Sequence, residues 1–179
     1  MIRRMRKISM VALTLLLTAA VSAQHDAGKK PLSPPAKAKA SFAGKNVTID
    51  YSAPSKRDRK IMGALVPYGK VWRTGANAAT TLTTETDLML GNLHVPAGTY
   101  TLYTIPNAKE WTLIVNKQTG QWGTQYDQAQ DLGRVKLTVK PVKKTVETFA
   151  IDLARVNDKK GTLSFTWENT LASVPVTVH

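Results

Sequence analysis

Residues 99–116, TYTLYTIPNAKEWTLIVN, decide the fold class. Tyr100 and Leu102 share one face of the first half, and Trp111, Leu113 and Val115 share one face of the second. Such a period of two belongs to a half-buried strand, whose successive side chains point to opposite sides of a sheet. Residues 107–110 between the halves are polar or small and form the turn of an antiparallel pair.

The same rhythm runs outward in both directions. Upstream it appears in Val47, Ile49 and Tyr51; downstream in Val135, Leu137 and Val139, where Lys136, Thr138 and Lys140 take the other face. It returns in Phe149, Ile151 and Leu153, in Leu163, Phe165 and Trp167, and in Val174, Val176 and Val178. Gly91-Asn92 is a two-residue hairpin candidate, Pro96-Ala97-Gly98 precedes the strand at 99–105, and residues 158–161 separate the last long pair. No stretch has a convincing amphipathic helical period. Eight or nine short strands at this spacing predict an all-β domain, an antiparallel β-sandwich, with a closed barrel as the alternative. Trp111 and Trp167 fall in phase with the apolar face and are expected in the core; Trp122, between Gln121 and Gly123, is the tryptophan freest to be exposed.

The N-terminus has the grammar of a cleavable export signal over residues 1–23. Arg3, Arg4, Arg6 and Lys7 precede an apolar run from 10 to 21, and Val21-Ser22-Ala23 supplies the small residues of a cleavage site. That run falls short of the roughly twenty residues of a stable membrane span, so no transmembrane anchor is expected after cleavage. The chain has no cysteine, which excludes disulfides, thiolate metal sites and a lipid-modified N-terminal cysteine. An exported protein, periplasmic or secreted, is the expectation. Residues 24–45, rich in Ala, Lys and Pro, read as a flexible basic tether, and residues 46–179 as a single β domain.

Charge is consistent with that partition. The formal net charge of +13 includes four basic residues in the signal and a net four positive charges in the tether, leaving a modest +5 on residues 46–179. This is no nucleic-acid footprint, and no nucleic-acid partner is expected.

Chemistry-bearing residues concentrate in residues 66–80, VPYGKVWRTGANAAT. Arg73 offers a planar fork for a carboxylate, sulfate or phosphate. Tyr68 and Trp72 offer ring faces, Asn77 and Thr80 offer hydrogen bonds, and Gly69 and Gly75 allow close backbone approach. Tyr51 and Arg59, in the neighbouring polar stretch, are candidates of a second tier. The competing reading makes Arg73 structural, paired with Asp50 or Glu85 and pinning its loop to the sandwich. Of three histidines, His25 lies in the tether, His179 is terminal, and His94 reads as a surface residue at a strand end. No nucleophile elbow, zinc helix or phosphate loop occurs, so no metal and no cofactor is expected. Non-catalytic binding of a small anionic molecule or glycan in the cell envelope is therefore the expected role. A hydrolase using two of the scattered carboxylates, or an envelope scaffold that presents a sheet edge or apolar patch to a protein partner, are the alternatives.

Several separate motifs, in order, also carry a family resemblance: VTIDYSAPSKRDRKI, VPYGKVWRTGANAATTL, VPAGTYTLYTIP, EWTLIVN and QWG. Together they closely resemble the exported bacterial family called domain of unknown function 2911, over nearly all of residues 47–179. The resemblance implies an exported β protein and no established activity. Where the family usually places an acidic residue after the Asn of the GAN segment, this chain has Ala78. Any role of that carboxylate would be missing here.

Overall fold

The computed structural model describes residues 31–178. The signal-like residues 1–23 and the start of the tether lie outside the described residues, as do His25 and His179. Among the described residues, nine strands form one antiparallel sheet: β1 (Pro35–Phe42), β2 (Lys45–Ser52), β3 (Thr80–Thr84), β4 (Leu88–Leu90), β5 (Leu93–Val95), β6 (Gly98–Ile105), β7 (Glu110–Asn116), β8 (Asp131–Arg155) and β9 (Lys160–Val178). Their order is β1-β2-β3-β6-β7-β8-β9-β4-β5, and one short 3-10 helix, Gln128–Gln130, precedes β8.

The stretch at 99–116 folds as its alternation requires. Leu102 stands opposite Val115 and Thr104 opposite Leu113 in the β6–β7 ladder. Gly91 and Asn92 form the tight β4–β5 turn, with Leu90 opposite Leu93.

The sheet folds over as a sandwich and does not close into a barrel. β8 spans 25 residues, which would run about 80 Å if straight. Register shifts between Pro141 and Val146 and between Val146 and Ala150 bend it instead. Consequently the two outer strands of the order, β1 and β5, both come up against β8. Contact is close enough that a Cβ on Gly133 of β8 would fall 2.4 Å from Leu93 Cδ1 of β5, and β1 also meets the start of β9, where one on Gly161 would fall 2.8 Å from Phe42 Cζ. The core between the layers holds Phe42, Ile49, Leu82, Leu102, Leu113 and Phe165, with Trp111 and Trp167 each 1% exposed; Trp122 is 52% exposed.

Two expectations need correction. Residues 35–42 are strand, not tether: β1 pairs residue for residue with β2. Ala38, Ala40 and Phe42 point inward, while Lys37 and Lys39 point out and Lys37 Nζ lies 3.0 Å from Asp50 directly opposite. Alternating Ala and Lys is a period-two pattern with small inner residues, suited to the tight approach of β1 to β8. The apparent strands at 135–140 and 149–153 are likewise one bent element, continuous through Pro141.

Candidate ligand-binding cleft

Bending of the β8–β9 hairpin leaves one end of the sandwich to be covered by loops, and a cleft of about 610 Å³ opens there. Its floor is aromatic. Trp72 stacks on Trp167 with centroids 5.8 Å apart and an 18° tilt, and meets Trp111 and Phe149 edge-on at 6.2 and 5.0 Å. Trp72 is stapled to β6 by paired backbone bonds with Thr104, 2.7 Å one way and 3.0 Å the other. A second aromatic pair, Tyr103 and Tyr126, meets edge-on at 4.9 Å.

Three arginines line this space, Arg57, Arg59 and Arg73, and no Asp or Glu among the described residues does. Two carboxylates of the β8–β9 hairpin are engaged by backbone N–H groups of the 53–66 loop. Glu168 accepts from Ile61 N at 3.2 Å and Met62 N at 3.1 Å, and Glu147 accepts from Arg57 N at 2.8 Å. Together they tie the 53–66 loop to the hairpin, and among the described residues neither forms an ion pair with Arg57 or Arg59. Arg59 turns back on its own loop, donating to Lys56 O at 2.9 Å and Ser55 O at 2.6 Å.

Arg73 differs. Among the described residues no protein group bonds its guanidinium, and the two acids offered to it by the sequence are taken: Asp50 by Lys37, and Glu85 by the N–H of Asn46 at 2.7 Å. Its stem is nonetheless clamped. Gly123 rides so close that a Cβ there would lie 2.7 Å from Arg73 Cδ, and Gly123 N donates to Asn77 O at 3.1 Å. Gly123 of the QWG stretch at residues 121–123 therefore covers the arginine stem.

Backbone conformations around the cleft are unusual. Arg57, Asp58, Thr74, Asn77 and Glu168 all have φ between 49° and 59°. Left-handed backbone costs a non-glycine residue about 1–3 kcal/mol unless its surroundings enforce it. At Thr74 the enforcement is visible: the residue is fully buried, its Oγ1 lies 3.2 Å from Trp72 O and 3.1 Å from Thr104 Oγ1, and its carbonyl accepts from Thr80 Oγ1 at 2.8 Å. Gly75, at φ 150°, is needed next to it, because a Cβ would fall 2.9 Å from Ser52 O.

The candidates read from sequence thus separate. Trp72, Arg73 and Arg59 meet at the cleft. Thr80 is buried and braces the loop behind it, and Asn77 turns its amide to Ser33 O and Ser52 Oγ at 3.4 Å each. Tyr51 packs edge-on against Phe149 and its hydroxyl accepts from Ile151 N at 3.1 Å, fastening one layer to the other. Tyr68 lies over Gly63, outside the lining. Ala78 faces a shallower hollow beside Asp50 and Tyr51 and not the cleft.

Arg57, Tyr103, Tyr126 and Trp167 also line the cleft; the alternation of β9 marked Trp167 as core, and no local pattern singled out the other three. Burial, opposed for Tyr103 by its bond from Gln121, raises both phenol pKa values, so neither hydroxyl adds negative charge near neutral pH. Tyr126 is held by donating to Asp131 at 2.8 Å while accepting from Arg134 at 2.9 Å. The hydrogen bond to Asp131 in turn raises the pKa of Arg134.

A family model described as a protein of unknown function, DUF2911, matches residues 33–176. The chain belongs to the DUF2911 family. The match begins at the cleft residue Ser33 and includes β1, so the DUF2911 domain starts well before residue 46. No similar chain was found among curated proteins or solved structures. Among the described residues of this DUF2911 protein no helix is long and apolar enough to cross a membrane, and no group of His, Cys, Asp and Glu is placed to hold a metal ion.

Proposed function

We propose that this protein binds a small organic anion, without transforming it, in the arginine-lined cleft, and that it does so after export directed by residues 1–23. One observation carries the reading: among the described residues three arginines and no Asp or Glu line the cleft, and Arg73 has no protein partner while its stem is clamped in place. A pre-positioned, half-buried guanidinium gains from a bidentate anion, because little side-chain freedom remains to be lost on binding. Non-catalytic binding fits the same wall, since among the described residues no Asp, Glu, His or Lys lines it to serve as a general base.

The test is calorimetric titration and thermal unfolding of the purified protein with a panel of organic carboxylates, sulfonates and phosphates. Arg73→Ala weakens binding about 10- to 100-fold, the worth of a charge-assisted bond, while unfolding shifts by less than about 0.5 kcal/mol. Arg73→Lys keeps the charge, loses the fork and recovers only part of the affinity. A large loss of stability in Arg73→Ala, with no anion bound by the parent protein, would show Arg73 to be structural and overturn the reading.

A further inference from the structure

The anion-binding reading leaves the body of the ligand open, and the rest of the lining narrows it. Hydroxyl-rich ligands need side chains with free donors and acceptors in fixed positions. The phenols in the wall have their protons committed: Tyr103 donates to Gln125 O at 3.2 Å and Tyr126 to Asp131. Among the described residues Ser33, Thr124 and the indole N–H of Trp72 remain as neutral hydrogen-bonding groups in the lining.

Apolar surface is plentiful by contrast. Leu65 and Val71 line the cleft and are 47% and 39% exposed. Trp122, adjoining the lining residue Gly123, and Tyr68, on the loop between Leu65 and Val71, are 52% and 43% exposed. Thus two of the six large apolar side chains that remain exposed among the described residues line the cleft, and two more adjoin its lining in the chain. Scattered exposed apolar residues need no explanation, but a cluster at the rim of a cleft does. The volume, about 610 Å³, is that of sites for organic molecules of many atoms and far exceeds the needs of an inorganic ion.

From these features we infer that the ligand is an amphiphilic anion: a single carboxylate, sulfonate or phosphate head on arginine, and an apolar body lying on the Trp72 face and across the lip of Leu65 and Val71. A polyhydroxylated glycan does not fit this wall. The inference rests on the anion-binding reading and sharpens it.

Titration calorimetry with matched probes separates the two. The probes are 2-naphthoate, decanoate, D-glucuronate and the neutral 2-naphthylmethanol, tested on the parent protein and on the double variant Leu65→Ser, Val71→Ser, both of whose sites are solvent-exposed. The expected result is that naphthoate or decanoate binds at least tenfold tighter than glucuronate, with a negative heat-capacity change from apolar burial. The tighter of the two tells an aryl body from an acyl one. The double variant weakens that probe about fivefold and leaves glucuronate unchanged. Glucuronate binding as tightly as the apolar acids, and still dependent on Arg73, would overturn the amphiphile and leave anion binding intact. Naphthylmethanol matching naphthoate, or no probe binding, would overturn both.

Discussion

The loop of residues 53–66 and the loop of residues 72–80 line one cleft and each brings arginine to it, yet they are held by different chemistry. The first is paired by its backbone to residues 147–149 and is further held by two carboxylates, Glu147 and Glu168, which accept N–H groups across some hundred residues of sequence. The second is held by hydroxyls and close backbone approach: Thr74, Thr80, Gly75 and the backbone pair of Trp72 with Thr104. A carboxylate that satisfies two N–H groups has less to offer a guanidinium. Anchoring the first loop with acids spends acceptor sites of those acids on its backbone, and among the described residues neither acid forms an ion pair with an arginine of the cleft.

The largest expected effect breaks the second loop. Gly75→Ala puts a Cβ against Ser52 O in a backbone conformation that side chains rarely adopt, and costs about 3 kcal/mol. For a domain of this size that is a fall in Tm of about 10 °C, measurable by calorimetry. A loss below about 1 kcal/mol would show that the loop relaxes and is not set by close approach.

Next comes the first loop. Glu168→Ala leaves Ile61 N and Met62 N without their acceptors and costs about 2 kcal/mol. Amide exchange then quickens at Ile61 and Met62 and stays unchanged at Thr104, which belongs to the other anchor. Equal loosening of both loops would mean that the walls form one unit and the contrast fails.

The smallest effect concerns acid. The N–H of Ala97, and then His94, lower the pKa of Asp87, and the N–H and side-chain amide of Asn46 lower that of Glu85. A lowered carboxylate contributes stability that is full above its unfolded pKa and lost as pH falls through the folded one. Melting temperature thus declines modestly below about pH 4, and the double variant Glu85→Gln, Asp87→Asn flattens that decline. Both groups stand away from the cleft lining, so affinity for a sulfonate probe is expected to hold over the same range. Affinity tracking the melting curve would place the titrating anchor in the cleft wall.

Much of the fold was legible because strand alternation is local: Trp111, Leu113 and Val115 reveal their face within five residues. β1 was hidden because Ala38 and Ala40 are inward residues of a composition that also suits a linker. Trp72, Arg73 and Arg59 stood out as a dense run of ring and cation. Arg57, Tyr126, Glu147 and Glu168 did not, since nothing around each in sequence marks what it meets.

By itself the sequence determined the all-β class, the turn positions, the membership of Trp111 and Trp167 in the core, and the presence of an unusual arginine loop. Those properties depend on side-chain period and backbone preference over a few neighbouring residues. Only the tertiary structure decided that β8 bends, that Arg73 is clamped but unpaired, and that the acids of the hairpin are engaged by the opposite loop. These depend on contacts such as Ile61 with Glu168, 107 residues apart in the chain, whose energies arise only when the whole sheet has folded over.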